Sequence, residues 1–249
     1  MRRHLQFEVQ LENFEHEVGI AARYIYAEMA IQHAASKSRR LLSRLNATPT
    51  FWIACGAAFQ SAAYISLARI FDTKSKYNVS VLLDAFAANL QLFQRRALAE
   101  RKRDGKPTDP PWLGEYLDRA YYPSRKDVAN LRKRVEAYRA IYNRAIKPAR
   151  DKYLAHRVGQ DHRAVRALFA GGTARDLWRL STFLILLHNV FWELLHNGRK
   201  PAFRPIRYSA KAIFDSKFHG SAPHESIVRE VKELMSFLEN ATLRRSISP

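Results

Sequence analysis

Phe7, Leu11, Phe14, Val18, Ala22, Ile25 and Met29 recur at alternating spacings of four and three residues. That is close to the helical period of about 3.6, at which side chains return to one face. A strand cannot use it, because strand side chains change face at every residue. The chain is therefore committed to a long amphipathic helix over about 5–45. Glu8, Glu12, Glu15 and Glu17 make its early outer face acidic, and Ser36-Lys37-Ser38-Arg39-Arg40 turns the later part basic. Asn46-Ala47-Thr48-Pro49 ends it, since proline disfavours the helical region for the residue before it and carries no donor.

The same period runs through the rest. A second helix is expected over Thr50 to Asp72. Ala54, Gly56, Ala57, Ala58, Ser61, Ala62 and Ala63 crowd its first half, a composition that allows close helix approach and predicts a place in the middle of a bundle. A glycine inside a helix costs about 1 kcal/mol against alanine, so Gly56 is expected to have a packing reason. A third helix begins at Ser80, carries Val81, Leu82, Leu83, Phe86, Leu90 and Phe93, and closes in a run of cations up to Arg103. The loop 104–111 and a short helical piece, Glu115 to Tyr122, come next. Ser124 with Asp127, and Thr173 with Asp176, place a cap and an acid three residues apart, which predicts two helix starts. The first opens a helix with Leu131, Val135, Tyr138, Tyr142 and Ala145 inward. The second runs to Asn197 on Leu177, Leu180, Leu184, Leu187, Phe191 and Leu194, with Gly198 as its C′ residue. After an irregular segment, Arg199 to Pro223, a last helix is expected over 224–243 on Ile227, Val231, Leu234 and Leu238. No run alternates at period two for long enough to suggest a sheet. The expected fold is all-α: one helical bundle over residues 1–249, with long antiparallel helices.

Charge narrows the partner. The 249 residues hold 42 lysines and arginines against 23 acids, a net of +19, and 29 of the 42 are arginine. Arginine suits bidentate phosphate contact, so a polyanion, most plausibly nucleic acid, is the expected partner. From Arg125 to Arg157 eleven basic residues meet three acids, with Tyr138, Tyr142 and Tyr153 interleaved. The single cysteine, Cys55, reads as small core filler, and a reducing, cytoplasmic setting is expected. Met1-Arg2-Arg3-His4-Leu5 leads into a Glu-rich pattern, so no secretory leader is expected. Phe183 to Leu195, the most apolar segment, is interrupted by His188, Asn189 and Glu193, so it reads as a buried helix and no membrane association is expected.

Motifs for nucleotide cradles, dinucleotide sites, nucleophile elbows and helical zinc sites are absent. His188 and His196 lie about 12 Å apart along one helix, too far to share an ion, and neither metal nor cofactor is expected. The densest chemistry is Lys147-Pro148-Ala149-Arg150-Asp151-Lys152-Tyr153-Leu154-Ala155-His156-Arg157. Arginine plus histidine suits RNA cleavage by the ribose 2′-hydroxyl, because the substrate brings its own nucleophile. Histidine, with an ordinary pKa of about 6.5, can accept the hydroxyl proton. Arginine can neutralise charge building on the phosphorane oxygens.

Arg150, Asp151, four further residues and His156 resemble the R-x(4–6)-H motif of HEPN domains. The wording Arg150-Asp151-Lys152-Tyr153-Leu154-Ala155-His156-Arg157 is most similar to the abortive-infection, AbiU-like subgroup. Leu67-Ala68-Arg69-Ile70-Phe71-Asp72 and Ser80-Val81-Leu82-Leu83 resemble that subgroup too. The likeness covers about 50–197, with the helices over 5–45 and 224–243 flanking it. It implies a HEPN-like helical bundle that dimerises and sets two motifs across a shared cleft. It also implies a metal-independent endoribonuclease, leaving a 2′,3′-cyclic phosphate, in an antiphage or toxin system. Arg150 and His156 would be catalytic, Asp151, Lys152 and Tyr153 supporting, and Arg139, Arg144, Lys147 and Arg157 RNA-binding. A cognate antitoxin or regulatory protein is a further possible partner.

Helix geometry bears on that site. On a regular α-helix six residues advance about 600° and 9 Å, so Arg150 and His156 point about 120° apart. A composite site built from two chains resolves this. The inward stripe continues through 149 and 152/153 to 156, which also allows His156 to be a packing residue and Arg150 to bond a neighbouring helix end. Two other functions stay open: a non-catalytic helical protein that binds nucleic acid, nucleotide or protein, and a structural or antitoxin-binding module.

Overall fold

A computed structural model describes residues 2–76, 78–155, 169, 171–203, 214 and 222–241. Among these residues every regular element is helical and none is a strand, the all-α class that the periodicity predicts. The elements are α1 (Arg2–Lys37), α2 (Arg39–Asn46), α3 (Pro49–Phe71), α4 (Val79–Ala88), a 3-10 turn (Leu90–Phe93), α5 (Arg95–Arg103) and α6 (Leu113–Arg119). Then come α7 (Arg125–Ala145), the single turn α8 (Lys147–Ala149), a π-helical segment (Arg150–Ala155), α9 (Ala174–Asn197) and α10 (Pro223–Asn240). The chain groups into two compact units, Met1–Val18 with Tyr64–Arg207, and Gly19–Ala63 with Tyr208–Pro249.

The first unit is built around aromatic side chains. Phe7 of α1 meets Phe93 edge-on at 5.2 Å, and Phe86 of α4 meets Phe93 at 4.8 Å and Phe191 of α9 at 5.2 Å. All four rings are buried, and edge-to-face pairs of this kind add about 0.5–1.5 kcal/mol each beyond the burial of their area. The six predicted stripe residues of α9 are all buried. α7 packs against α4 and α9 with Leu131, Val135, Tyr142 and Ala145 buried, and Tyr138 stacks flat on Phe183 at 3.8 Å. Both predicted capping boxes form, at Ser124 with Asp127 and at Thr173 with Asp176. Gly198 ends α9 in the left-handed region at φ 55°, where a Cβ would fall 2.8 Å from Leu98 and 2.9 Å from Ala120. A small second cluster, Leu98, Ala99, Leu113 and Leu117, joins α5 to α6.

In the second unit α2 packs against α10, with the Ser38 hydroxyl donating to Glu239 at 2.5 Å. Tyr26 meets the His224 ring at 5.3 Å. Burial pushes the His224 pKa down.

Several expectations need correction. The helix predicted over 5–45 breaks at Ser38, whose hydroxyl accepts the Leu41 N–H at 3.1 Å and so starts a new helix. The helix predicted from Ser80 to Arg103 breaks at Asn89, whose side-chain amide donates back to the Ala85 carbonyl at 2.8 Å. α3 is not central along its whole length. Its second half is buried at Tyr64, Leu67, Ile70 and Phe71, but Phe51 is 60% and Ile53 72% exposed. Ala54, Ala57 and Ala58 are exposed, Cys55 is only half-buried, and a Cβ on Gly56 would meet nothing within 4 Å among the described residues. The small residues there do not report close packing in the described chain. α10 buries Val228, Val231 and Met235, one position round from the expected stripe, leaving Leu234 exposed. The segment 183–195 is helical with mostly buried side chains, as expected; among the described residues α3 is long and apolar enough by length and composition to cross a membrane, a feature not singled out from sequence. Of the irregular segment 199–223, only 199–203, 214, 222 and 223 are among the described residues.

Candidate functional site

The site begins where the basic helix stops being an α-helix. Ile146 closes α7, donating its N–H to the Tyr142 carbonyl at 2.9 Å with φ −115°. Pro148 two residues on has no N–H for the Arg144 carbonyl, so the ladder cannot run through it unbroken. α8 supplies one turn, the Arg150 N–H reaches the Ile146 carbonyl at 3.1 Å, and the chain then widens into the π-helical segment. Segments of this kind occur mostly as single wide turns, frequently at functional sites.

Arg150 is held from three sides. Its Nη2 donates to Asp72 Oδ2 and to the Tyr142 hydroxyl at 3.4 Å, and its Nη1 lies 2.8 Å from Asp151 Oδ1. Asp72 follows the last residue of α3 and is itself fixed, because its Oδ1 accepts the Lys74 N–H at 3.0 Å. Tyr142 is buried and stacks on Phe71 at 5.4 Å, so the hydroxyl next to Arg150 comes from a rigid ring. Burial works against the Arg150 charge, but hydrogen bonds to Tyr142 and Asp72 and the field of Asp151 outweigh it and raise the pKa above its ordinary value. The Lys74 N–H, then Arg150 and Lys147, hold the Asp72 carboxyl below the usual carboxylate range despite some desolvation. Burial raises the Tyr142 pKa, so that hydroxyl keeps its proton. Among the described residues Arg150 Nε is buried without a hydrogen-bond acceptor.

Arg150 forms one wall of an open hollow of about 370 Å³, together with Ile65, Arg69, Asp72, Lys74 and Leu154. Three cations and one carboxylate therefore face it. Asp151 is half-exposed, while Lys152 and Tyr153 are exposed. The inward stripe of α7 reaches buried Ala149 and then stops, contrary to its predicted continuation through 152/153. A π-helical turn advances fewer degrees per residue than an α-helical one, which rotates the later positions out of the stripe. The 120° divergence of Arg150 and His156 assumes a regular α-helix, whereas Arg150–Ala155 is π-helical. His156 and Arg157 lie outside the described residues.

The remaining predicted positions divide by what they touch. Lys147 is exposed, and Arg144 is 69% exposed beside Asp176 at 3.1 Å. Arg139 is 11% exposed; it donates to the Phe71 carbonyl at 3.2 Å and the Ser80 hydroxyl at 2.6 Å, and pairs with Glu136. Its guanidinium thus ties α7 to the C-terminal end of α3 and to α4. Asp72 and Tyr142 were not singled out as site residues from sequence, although both stood in segments noted for other reasons. No group of three or more His, Cys, Asp or Glu side chains placed to hold a metal occurs among the described residues. His188 lies 3.6 Å from Glu15, and burial pushes its pKa down.

A basic, all-α chain with an R-x5-H sequence whose arginine sits on a wide helical turn defines a class, and the comparison with known families agrees. The chain matches the AbiU2 family of HEPN domains over residues 5–218, and it belongs to that family. The match reaches well beyond the 50–197 core expected from sequence and takes in the first helix. No curated protein and no solved structure matches the chain. Family membership places the chain among HEPN modules related to abortive infection.

Proposed function

We propose that this protein is a metal-independent endoribonuclease acting as an RNA-cleaving effector in abortive infection. In this reading His156 takes the proton from the ribose 2′-hydroxyl and Arg150 neutralises the pentavalent phosphorus intermediate. The bond from phosphorus to the 5′-oxygen then breaks, that oxygen takes up a proton from water, and the products are a 2′,3′-cyclic phosphate and a free 5′-hydroxyl. The observation that carries the proposal is the position of Arg150: permanently charged, on a rigid support, and open to a hollow at the first residue of the wide turn leading to His156. Arg150 and His156 would act together across two copies of the chain, as the resemblance in sequence implies. Lys147, Arg144 and Arg157 would draw the RNA backbone towards the site.

A second reading has its own observation. The Arg150 guanidinium already faces two carboxylates, Asp72 and Asp151, as a structural clamp on a neighbouring helix end would. On that reading the chain is a non-catalytic binding module.

Incubation of the purified protein with RNA in excess chelator separates the two. The proposal expects cleavage with cyclic-phosphate ends, lost in Arg150→Ala and in His156→Ala. Absence of cleavage by the wild type, or equal cleavage by all three proteins, overturns it in favour of the clamp.

A further inference from the structure

The first unit carries a second concentration of cations, separate in its residues from the Arg150 hollow. Where α6 and the end of α9 come together, an open depression of about 780 Å³ is lined by Trp112, Tyr116, Lys102, Arg119, Arg199 and Lys200, among others. Trp112 is 50% exposed although it is the largest apolar side chain in the neighbourhood. It meets Tyr116 edge-on at 5.7 Å, with the rings inclined at 83°. The Tyr116 hydroxyl donates to the Asn197 carbonyl at 2.9 Å, so the support under Trp112 is fixed. Lys102 sits over the Tyr116 ring at 5.2 Å and donates to Asn197 Oδ1 at 2.9 Å. The turn at the far side is fixed by Gly198, whose carbonyl accepts the Tyr121 N–H at 2.6 Å.

Lys200 also lines a second depression of about 560 Å³, beside α7, with Lys133, Arg134 and Phe203. There the Arg134 guanidinium covers the Phe203 ring at 4.7 Å. The two depressions share Lys200 and together present six cations, Lys102, Arg119, Lys133, Arg134, Arg199 and Lys200, against two acids, Glu115 and Asp127. Neither acid is unengaged. Glu115 pairs with Arg119 at 2.5 Å, Asp127 accepts from Ser124 and from Tyr121, and Arg199 pairs with Glu193 at 3.4 Å, so two of the six cations are already in ion pairs. An aromatic or guanidinium plane thus stands in each depression with cations around it. A base can stack on such a plane while its phosphates meet the cations, a combination that recurs in single-strand binding.

We propose that these two depressions form one groove that binds single-stranded nucleic acid, stacking a base on Trp112 and another on the Arg134–Phe203 pair. Lys200 lies between them and contacts the intervening phosphate. A mononucleotide shares the base and phosphate chemistry but fills one depression only. The shared Lys200 favours a strand long enough to occupy both.

The test is fluorescence anisotropy with a labelled single-stranded 2′-deoxy 12-mer, which cannot be cleaved through a 2′-hydroxyl and so reports binding apart from catalysis. The full chain is expected to bind with affinity that falls as salt rises. Trp112→Ala should weaken binding about tenfold or more, since stacking on an aromatic side chain commonly carries an effect of that size. Trp112→Phe should stay within about threefold of wild type, because a stacking plane remains. Lys200→Ala should also weaken binding and flatten the salt dependence by about 0.7 in log–log slope, the value for one phosphate contact on a single strand. The proposal is overturned if Trp112→Ala and Lys200→Ala both bind like wild type. It is equally overturned if AMP displaces the 12-mer at concentrations comparable to the 12-mer's own Kd, which would make the depression a mononucleotide site.

Discussion

The Arg150 hollow and the Trp112 depression both gather positive charge, and they treat it in opposite ways. At Arg150 the cation is faced by Asp72 and Asp151 and bonded by the Tyr142 hydroxyl, so much of its charge is answered inside the protein. At Trp112 and Lys200 the cations outnumber the acids, and both acids already have partners within the chain. A fixed, compensated arginine is suited to one exact position. An excess of cations over acids beside a ring is suited to a ligand that brings its own phosphates. Density of charged letters in the sequence therefore does not distinguish a site that positions from a surface that attracts.

The comparison can be broken most decisively at the Arg150 side. Arg150→Ala and His156→Ala are each expected to lower cleavage in chelator by about a hundredfold or more, the usual scale for losing a proton acceptor or a transition-state cation. Trp112→Ala should leave the cleavage of a dinucleotide substrate unchanged, as Trp112 is not among the residues around the Arg150 hollow. If Trp112→Ala and Arg150→Ala act alike on so short a substrate, the two regions are one site.

The glycines come next in size. Gly198 carries a positive φ beneath the Trp112 side, and a Cβ on Gly172 would lie 2.8 Å from the Tyr64 hydroxyl and 2.9 Å from the Ala145 carbonyl on the Arg150 side. Either glycine changed to alanine should cost about 1–3 kcal/mol, read from the urea midpoint at unchanged m-value. A loss below about 0.3 kcal/mol at either position would mean that its turn is free to shift.

A smaller effect separates clamp from catalyst. The Asp72 pKa is lowered in the folded chain, so its contribution to stability is fully present above its unfolded value near pH 4 and disappears as pH falls below that. Asp72→Asn should therefore cost about 1 kcal/mol at pH 7 and nothing once the pH is well below 4, measured by denaturation across that range. An unchanged pH dependence in Asp72→Asn would remove Asp72 from the Arg150 account. The smallest effect is expected at Arg144, whose pair with Asp176 is mostly exposed; Arg144→Ala should change stability by less than about 1 kcal/mol.

The helical class and most of the packing faces were legible from spacing alone. Phe7 to Met29 on α1 and Leu177 to Leu194 on α9 are buried as their period requires, because a stripe wide enough to be read is also wide enough to need covering. Ser124, Thr173 and Gly198 behave as their chemistry dictates, since caps are local. Spacing does not reveal where a ladder widens. Pro148 requires an interruption of the ladder, but the π-helical course of 150–155 depends on bonds that no single residue type demands, and it ended the inward stripe at Ala149. Asp72 could not be paired with Arg150 from sequence, because the contact joins positions 78 residues apart and follows from how α3 ends against α7. The exposed first half of α3 shows the opposite failure: small residues permit close packing without requiring it.

The central claim is a site that takes Arg150 from one copy of the chain and His156 from another. Mixing Arg150→Ala with His156→Ala protein after exchange of subunits tests it directly. If each site draws on both chains, half of the dimers are mixed, and each holds one intact site of two, so RNA cleavage should return to about a quarter of the wild-type rate. If the mixture stays as inactive as either variant alone while the wild type cleaves, the two residues act within one chain and the two-chain site is wrong.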